Sequence, residues 1–579
     1  MSEAVDIEPE ASSEANSNPA QNPAFPDDWS LRPWVLAGLL AIAGLGVHLA
    51  SDGGYDVPWR MALTAFFFFA AGVAAFTLDR DYLIPPAIFA GVSGLVMAGI
   101  AWRATSAGDY YSDSSFWVAA GILAVTLSLP LFQAGFFKKR FDTSYADAHY
   151  FVWTDAISGA GALAFTGLSW LVLLLLSSLF ELLNINIIEE LMREEWFGWV
   201  FSGLAFGAAL GVLRNQIKVL STLQSVVLLV LSLLAVPLAI ALILFLLAMI
   251  VSGPDVLWEA TRSATPVLLG CAVGAFVLTN AVLRDDDADM TKSRVQQWAA
   301  LILALGIFPL TVFAAVSMGT RIAQHGLSPE RIWALIAIVV ATTFGLVYLI
   351  AFIRGRMAGW RDYLRTSNLH LAVLVSTIAF ILAMPLFNFG AISTSNQLSR
   401  LQSGAVSVAD FDYAALRWDF GDAGRETLTE LTKSDNAEMA KLAKAAEDME
   451  SRYGGRRAAQ SRDAVEKAII DVSEERIEIA VRTYLLERGY LCRIACRVSQ
   501  IGEAEDGPLL AVIAQYDPEF LVFNEATGEV EEMQIRHGTM QQDRSMGAVE
   551  AGPDAEVELR PFTGRQLYVD GKPASAPFE

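Results

Sequence analysis

The sequence predicts a mainly α fold. A polytopic transmembrane helical bundle of about eleven spans comes first, and a soluble α+β domain, helices and then a small antiparallel sheet, follows. Three observations lead there. Apolar blocks of about twenty residues, divided by short charged loops, recur from residue 33 to residue 388. After Phe389 the chain turns polar and charged. Past Gly489 the apolar period changes to two, as in LCRIACRV, PLLAVIAQY and EFLVFN. Of the 579 residues 54% are hydrophobic, and the mean hydropathy is +0.42. Together these features read as membrane rather than water-soluble core.

The chain opens on an acidic tail, residues 1–30, with Glu3, Asp6, Glu8, Glu10, Glu14, Asp27 and Asp28 and no Lys or Arg before Arg32. Such a composition predicts disorder. No basic n-region and apolar h-region mark a cleavable signal peptide there, so the first span is expected to do the targeting. The formal charge of −22 argues against nucleic acid as a partner, since phosphates call for Lys and Arg. The expected partner is the lipid bilayer.

The spans are expected near 33–50, 60–78, 83–102, 116–136, 156–181, 197–213, 225–251, 266–283, 297–318, 332–353 and 371–388. The transmembrane domain is thus 31–388. The fifth span draws the eye. Its uncharged run from Ala156 to Phe180 covers roughly 37 Å as a helix, more than a bilayer core. The stretch Phe165–Leu183 within and beyond it reads as the piece around which the others are arranged. Trp34, Trp59, Trp102, Trp117, Trp153, Trp196, Trp199, Trp298 and Trp333 fall near block ends, where indoles favour the headgroup layer. Trp170 lies mid-block, and either packs between helices or lines a cavity.

Basic loops set the orientation. Lys138, Lys139, Arg140, Arg214, Lys218, Arg284, Lys292, Arg294, Arg354, Arg356, Arg361 and Arg365, with Arg32 and Arg80, share one side. Only Arg60, Arg103, Arg193, Arg262, Arg321 and Arg331 lie on the other. The N-terminus is therefore expected in the cytoplasm, and an odd span count sends residues 389–579 across the membrane. Between the fifth and sixth blocks, NINIIEELMREEWFGW reads as a short interfacial or connecting helix.

Gly203, Gly207 and Gly211, and also Gly270 and Gly274, recur at a spacing of four. That places small residues on one helix face for close packing, within the bundle or between copies. Pro237 and Pro309 sit mid-block and are expected to kink their helices. Gln133, Asp155, Asn215 and Asn280 fall toward the cytoplasmic half and are candidates for a polar vestibule, although interhelical hydrogen bonding is the commoner use of such residues. Asp147, His149 and Asp155 precede the fifth span; they suit a cation or proton relay, although solvated loop charge is the commoner use. No span carries Asp, Glu, Lys or Arg at its centre, which weakens an ion-driven transporter.

Three stretches carry a family resemblance: WTDAISGAGALAFTGLSWLVLLLLSSLFELLNI over residues 153–185, MPLFNFGAISTSNQLSRLQSG from Met384, and DFDYAALRWDFGDAGRETLTEL over residues 410–431. The chain resembles the bacterial membrane family known as domain of unknown function 4153. Ser169 stands before Trp170 where that family commonly has an aromatic residue. The resemblance implies a multi-pass bacterial membrane protein, expected in the inner membrane; the basic loops and the odd span count place its C-terminal domain in the periplasm. The resemblance brings no catalytic, cofactor or metal residues with it.

The C-terminal domain reads as a helical part, 389–490, and a β-rich part, 491–579. Asp422 is expected to cap one helix, Ser434 or Asp435 the next, and a third is expected over 462–487. The triplet at residues 526–528 and the pair Asp570-Gly571 are turn signals. Cys492 and Cys496 are four apart, too far for a disulfide on a flat strand, so a bridge would need a bulge or turn. Unlinked thiols are the alternative. No phosphate loop, HExxH or GxSxG occurs, and the five histidines are scattered. No cofactor and no metal site are expected. The reading is a non-enzymatic sensor, binding or assembly module. The alternatives are a transporter of an apolar or lipid-like solute, and then a membrane enzyme acting on a lipid or envelope precursor.

Overall fold

A computed structural model describes residues 29–52, 54, 56–253, 264–449, 451–452, 465, 468–488, 496–504, 507–513, 519–532, 568–569 and 572–573. The acidic tail through residue 28, the AEVELRPF segment and the Asp570-Gly571 turn signal lie outside the described residues. The chain divides into two compact units, residues 1–443 and 444–579.

Among the described residues the first unit holds eleven helices long and apolar enough to cross a membrane. They are α1 (Arg32–Ser51), α2 (Pro58–Thr77), α3 (Ile84–Ala107), α4 (Ser114–Gln133), α6 (Tyr145–Glu181), α8 (Glu195–Asn215), α9 (Ile217–Ser252), α10 (Ala264–Leu283), α11 (Arg294–His325), α12 (Pro329–Arg356) and α13 (Gly359–Ala383). The short helices α5 (Phe136–Lys139) and α7 (Ile187–Arg193) lie between spans. Pro at the first turn of α1, α2, α3 and α12 suits a position whose N–H has no helical partner. The last two spans run on through a single break at Arg356, whose φ of 48° and ψ of −153° leave the helical region.

Two expectations change here. The fifth span begins at Tyr145, not 156, because Ser144 caps it by accepting the Asp147 N–H at 3.4 Å, and Ala148, His149 and Phe151 are buried. Asp147, His149 and Asp155 are thus helical residues rather than loop charge. Its Phe165–Glu181 half does not organise the bundle: Leu168, Leu171, Leu175 and Leu179 are all exposed. The centre is α11, which packs against α9, α10 and α12 through Ala299, Ala300, Leu303, Ala304, Ile307 and Leu310. Small residues let spanning helices approach where lipid gives no hydrophobic drive to associate.

Residues 389–443 belong to the first unit and form a polar cap on one end of the bundle. α14 (Phe389–Gln402) starts at Asn388, which accepts the Ala391 N–H at 2.9 Å. Arg400 donates to the carbonyls of Ala323 at 3.1 Å and Gln324 at 2.7 Å, satisfying the open C-terminal end of α11. α15 (Tyr413–Trp418) and α16 (Gly421–Leu431) follow. Gly421, at φ +64°, lies against the Tyr111 ring, where a side chain would have neither the backbone freedom nor the room. The last span ends at Ala383, while the division between compact units lies at 443. Asp422 falls inside the first turn of α16, not at its cap. The cap of α17 (Ala437–Glu447) is Asn436, which accepts from the N–H groups of Glu438 and Met439, both at 3.1 Å.

In the second unit a five-stranded sheet runs in the order β1-β2-β3-β4-β5: Ile469–Asp471, Arg497–Ala504, Gly507–Ile513, Glu519–Asn524 and Glu529–Glu532. The expected all-antiparallel sheet is mixed. β1 lies where the 462–487 helix was expected and pairs parallel to β2, with Ile470 opposite Val498. A parallel pair needs a crossover, and α18 (Glu475–Glu487) lies between the two strands in the chain. Ile477, Val481 and Leu485 on that helix pack with Val498, Leu510, Leu521 and Phe523. The turn at 526–528 joins β4 to β5, with Gly528 at φ +74° donating its N–H to the Asn524 carbonyl at 2.8 Å. β6 (Tyr568–Val569) and β7 (Lys572–Pro573) pair separately.

Candidate functional site: an apolar cleft between spanning helices

Four helices leave a gap in the first unit, with Ile307 of α11 also on its wall. Ala119, Ala120 and Leu123 of α4, Ala272 and Phe276 of α10, Ala337, Val340 and Ala341 of α12, and Ala372, Val375 and Ala379 of α13 line a cleft of about 560 Å³. Its volume comes from alanine. On α12 and α13 the lining positions recur every three or four residues, so each helix turns one small-residue face to the gap. From Asn368 to Leu382 along α13 the cleft runs about 21 Å. That exceeds one leaflet, about half of a core of roughly 30 Å. The size is in the range of small-molecule sites.

The two ends differ in chemistry. At one, Asn368 is the single polar lining residue among the described residues. It accepts from the Tyr348 hydroxyl at 2.9 Å and donates to Asn280 Oδ1 at 2.7 Å, while Asn280 donates to Tyr348 Oη at 2.9 Å. The Tyr145 hydroxyl reaches Asn280 Oδ1 at 3.5 Å. This network is closed upon itself. Asn280, a vestibule candidate, thus helps to build the cleft floor.

At the other end, Trp333 and Phe116 stack with centroids 5.7 Å apart. Behind them sits Asp113, only 2% exposed. One of its oxygens accepts both the Trp117 Nε1–H at 3.2 Å and the Trp333 Nε1–H at 3.3 Å. Burial pushes the Asp113 carboxyl above the ordinary carboxylate range, against the pull of the two indole N–H groups and of Arg103. The Arg103 guanidinium lies 3.6 Å from the Trp117 ring centroid and donates to the Ala383 carbonyl at 3.3 Å. Burial likewise raises the Tyr111 phenol, next to the Asp422 carboxylate. Trp117 and Trp333, expected at the headgroup layer, point inward because Asp113 gives their N–H groups a buried acceptor.

The remaining candidates lie elsewhere. Gln133 donates to Asp155 Oδ1 at 3.3 Å and to the Phe76 carbonyl at 2.9 Å, and Arg214 donates to the neighbouring Ala75 carbonyl at 2.6 Å. Both close the C-terminal end of α2, where cations and donors are favoured. Asn215 accepts from Arg32 at 2.7 Å, and Arg32 also meets Asp79 at 3.3 Å. Gln133, Asp155 and Asn215 therefore gather around helix ends, apart from the cleft. His149 accepts the Trp153 Nε1–H at 3.1 Å. Gly203, Gly207 and Gly211 lie directly on the α1 backbone at Leu40, Leu36 and Pro33. Gly270 meets nothing, and Gly274 only Leu238 at 3.7 Å, so that pair admits no close backbone. Trp170 donates to Ser202 Oγ at 3.0 Å and packs on Phe201 of α8. Cys496 is disulfide-bonded, Cys271 is a free thiol, and Cys492 lies outside the described residues. Among the described residues no three His, Cys, Asp or Glu side chains gather in a way that could hold a metal ion.

Asp113, Trp333, Tyr348 and Asn368 were not singled out as site residues from sequence. The one local signal is the spacing of four between Asp113 and Trp117; the rest meet only in the fold. Neither the curated proteins nor the solved structures include a match to this chain. The family model described as Domain of unknown function (DUF4153) matches residues 33–431, from the first span to the end of α16 and more than half of the chain, so the protein belongs to that family.

Proposed function

We propose that this is a non-enzymatic protein of the bacterial inner membrane that holds a lipid-like chain in the cleft between α4, α10, α12 and α13. The carrying observation is the cleft itself: about 560 Å³, about 21 Å long and walled by apolar side chains except for Asn368. Its walls are spanning helices, so lipid tails are the surrounding solvent and the natural occupants. Among the described residues no nucleophile or acid–base pair lines it, which favours binding over reaction. The N-terminus is cytoplasmic and the second unit periplasmic, acting there as a sensor or assembly module. The excess of Lys and Arg in one set of loops supports this orientation, as does the odd number of spans. A disulfide at Cys496, for which Cys492 is the proposed partner, suits an oxidising compartment.

Native mass spectrometry of the detergent-purified protein tests the binding. The wild type is expected to retain about one equivalent of lipid. Ala341→Trp, which fills the cleft, should lose it, and Leu175→Trp on the exposed face of α6 should not. Equal retention by wild type and Ala341→Trp sinks the reading. Reporter fusions at residues 395 and 290 test the orientation, and a cytoplasmic residue 395 overturns it.

Carriage of an apolar solute is a second reading, favoured by one observation. A smaller apolar cavity of about 220 Å³ lies between α9, α10 and α11, lined by Leu238 and Leu310, the neighbours of Pro237 and Pro309. Transfer of a labelled lipid between leaflets of proteoliposomes, abolished by Pro309→Ala, would support it; no transfer above protein-free vesicles would remove it.

A further inference from the structure

Resting on the cleft reading, we propose that the Asp113–Arg103 end of the cleft is a headgroup site for a phospholipid bearing a primary amine, with the ammonium toward Asp113 and the phosphate toward Arg103. What decides between the two ends is unused hydrogen-bonding capacity. At the Asn368 end the amide accepts from Tyr348 and donates to Asn280, and Tyr348 is fully buried. A head placed there would meet one spare Asn368 N–H and no charged group among the described lining residues.

The Asp113 end is different. Both indole donors bind the same oxygen, Oδ2, and Oδ1 is buried with no hydrogen-bond partner among the described residues. A buried carboxylate oxygen without a donor is unfavourable, and a primary ammonium supplies the missing donor together with a compensating charge. Trp333 both lines the cleft and donates to Asp113, so the carboxylate stands one ring behind the cleft wall. Arg103, stacked on Trp117, gives one N–H to the Ala383 carbonyl, at the end of the helix whose Ala379 and Leu382 line the same end of the cleft. Its planar fork holds further donors suited to a phosphate. A carboxylate and a guanidinium that both meet Trp117 complement a zwitterionic head. A quaternary ammonium has the charge but no N–H to give.

The test reconstitutes the full chain in nanodiscs with equal amounts of phosphatidylethanolamine, phosphatidylcholine and phosphatidylglycerol of identical acyl chains, and reads the lipid kept after detergent extraction by native mass spectrometry. The wild type is expected to keep phosphatidylethanolamine over phosphatidylcholine by about tenfold. Asp113→Asn should bring that ratio to about one while total bound lipid stays the same, and Asp113→Glu should retain the preference. No preference in the wild type, with lipid bound, overturns the headgroup site and leaves the cleft reading standing. A preference for phosphatidylglycerol assigns the end to Arg103 alone and also overturns it. No bound lipid at all overturns both. Should Asp113→Asn fail to fold, the wild-type ratio decides by itself.

Discussion

α6 and α11 are both oily on all sides, yet one faces outward and the other forms the centre of its unit. Only 6% of the spanning window of α6 is buried, against 56% for α11. Their residue choice differs more than their hydropathy. From Leu171 to Leu179, α6 presents branched, bulky side chains that mix with lipid tails. α11 carries Ala299, Ala300, Ala304, Gly306 and Ala314 at its contacts, and the bulkier Leu303, Ile307 and Leu310 fill the spaces between neighbours. Lipid is as apolar as leucine, so burial in a membrane follows shape and close approach rather than oiliness. α8 makes the same point more sharply, because its three glycines bring the α1 backbone into contact.

That contrast can be broken by substitution. The largest effect is expected at Gly207→Leu, where the new side chain would run into the Leu36 backbone; a loss of about 3 kcal/mol or more should appear as poor recovery or a sharply lower Tm in detergent. A Gly207→Leu variant as stable as the wild type would show that α1 and α8 are not packed this way. Ala304→Leu at the fully buried centre of α11 should destabilise by about 1–3 kcal/mol through overpacking. Thermal unfolding checks it, and an unchanged midpoint would remove α11 from the core.

Asp113 gives the comparison a polar edge. Its carboxyl is raised in the folded state, so the proton it holds contributes stability that is fully present below the ordinary carboxylate range, about 3.9, and is lost as pH rises through the folded value. The stability difference between wild type and Asp113→Asn should therefore shift in favour of the wild type on acidification from neutral pH. A difference independent of pH between 4 and 8, roughly the window in which a raised carboxyl titrates, would mean the carboxyl is not buried. The smallest effect belongs to α6: Leu175→Ala should change stability by less than about 0.5 kcal/mol, since lipid covers either side chain. A larger loss would reveal a protein partner on that face.

Much of the architecture was legible along the chain. Block length identified all eleven spans, and the break between the last two fell among the basic residues near Arg356. Errors came where a local cue had a tertiary competitor. Tyr145 to Asp155 read as a charged loop because Asp147 and His149 are polar, but burial of Ala148 and Phe151 carries the helix through them. Residues 389–431 read as the start of a soluble domain because they are polar, yet Arg400 and Gly421 tie them to α11 and Tyr111. Strand β1 was hidden because three residues give too little period to separate two from 3.6. The site was barely legible at all. Gln133, Asp155 and Asn215, read as candidates for a vestibule toward the cytoplasmic half, gather instead around helix ends, and the cleft is built from alanines no motif marks.

Hydropathy by itself determined that the chain crosses a membrane repeatedly, where each crossing lies and, through its basic loops, which way it is expected to face. It did so because transfer into hydrocarbon depends on a segment's own side chains, whatever surrounds them. Which face of each span meets protein, which meets lipid, and where four helices part to leave a cleft were decided only by the tertiary structure. Those outcomes rest on contacts such as Trp333 with Asp113, 220 residues apart in the chain, and no local pattern encodes a meeting at that distance.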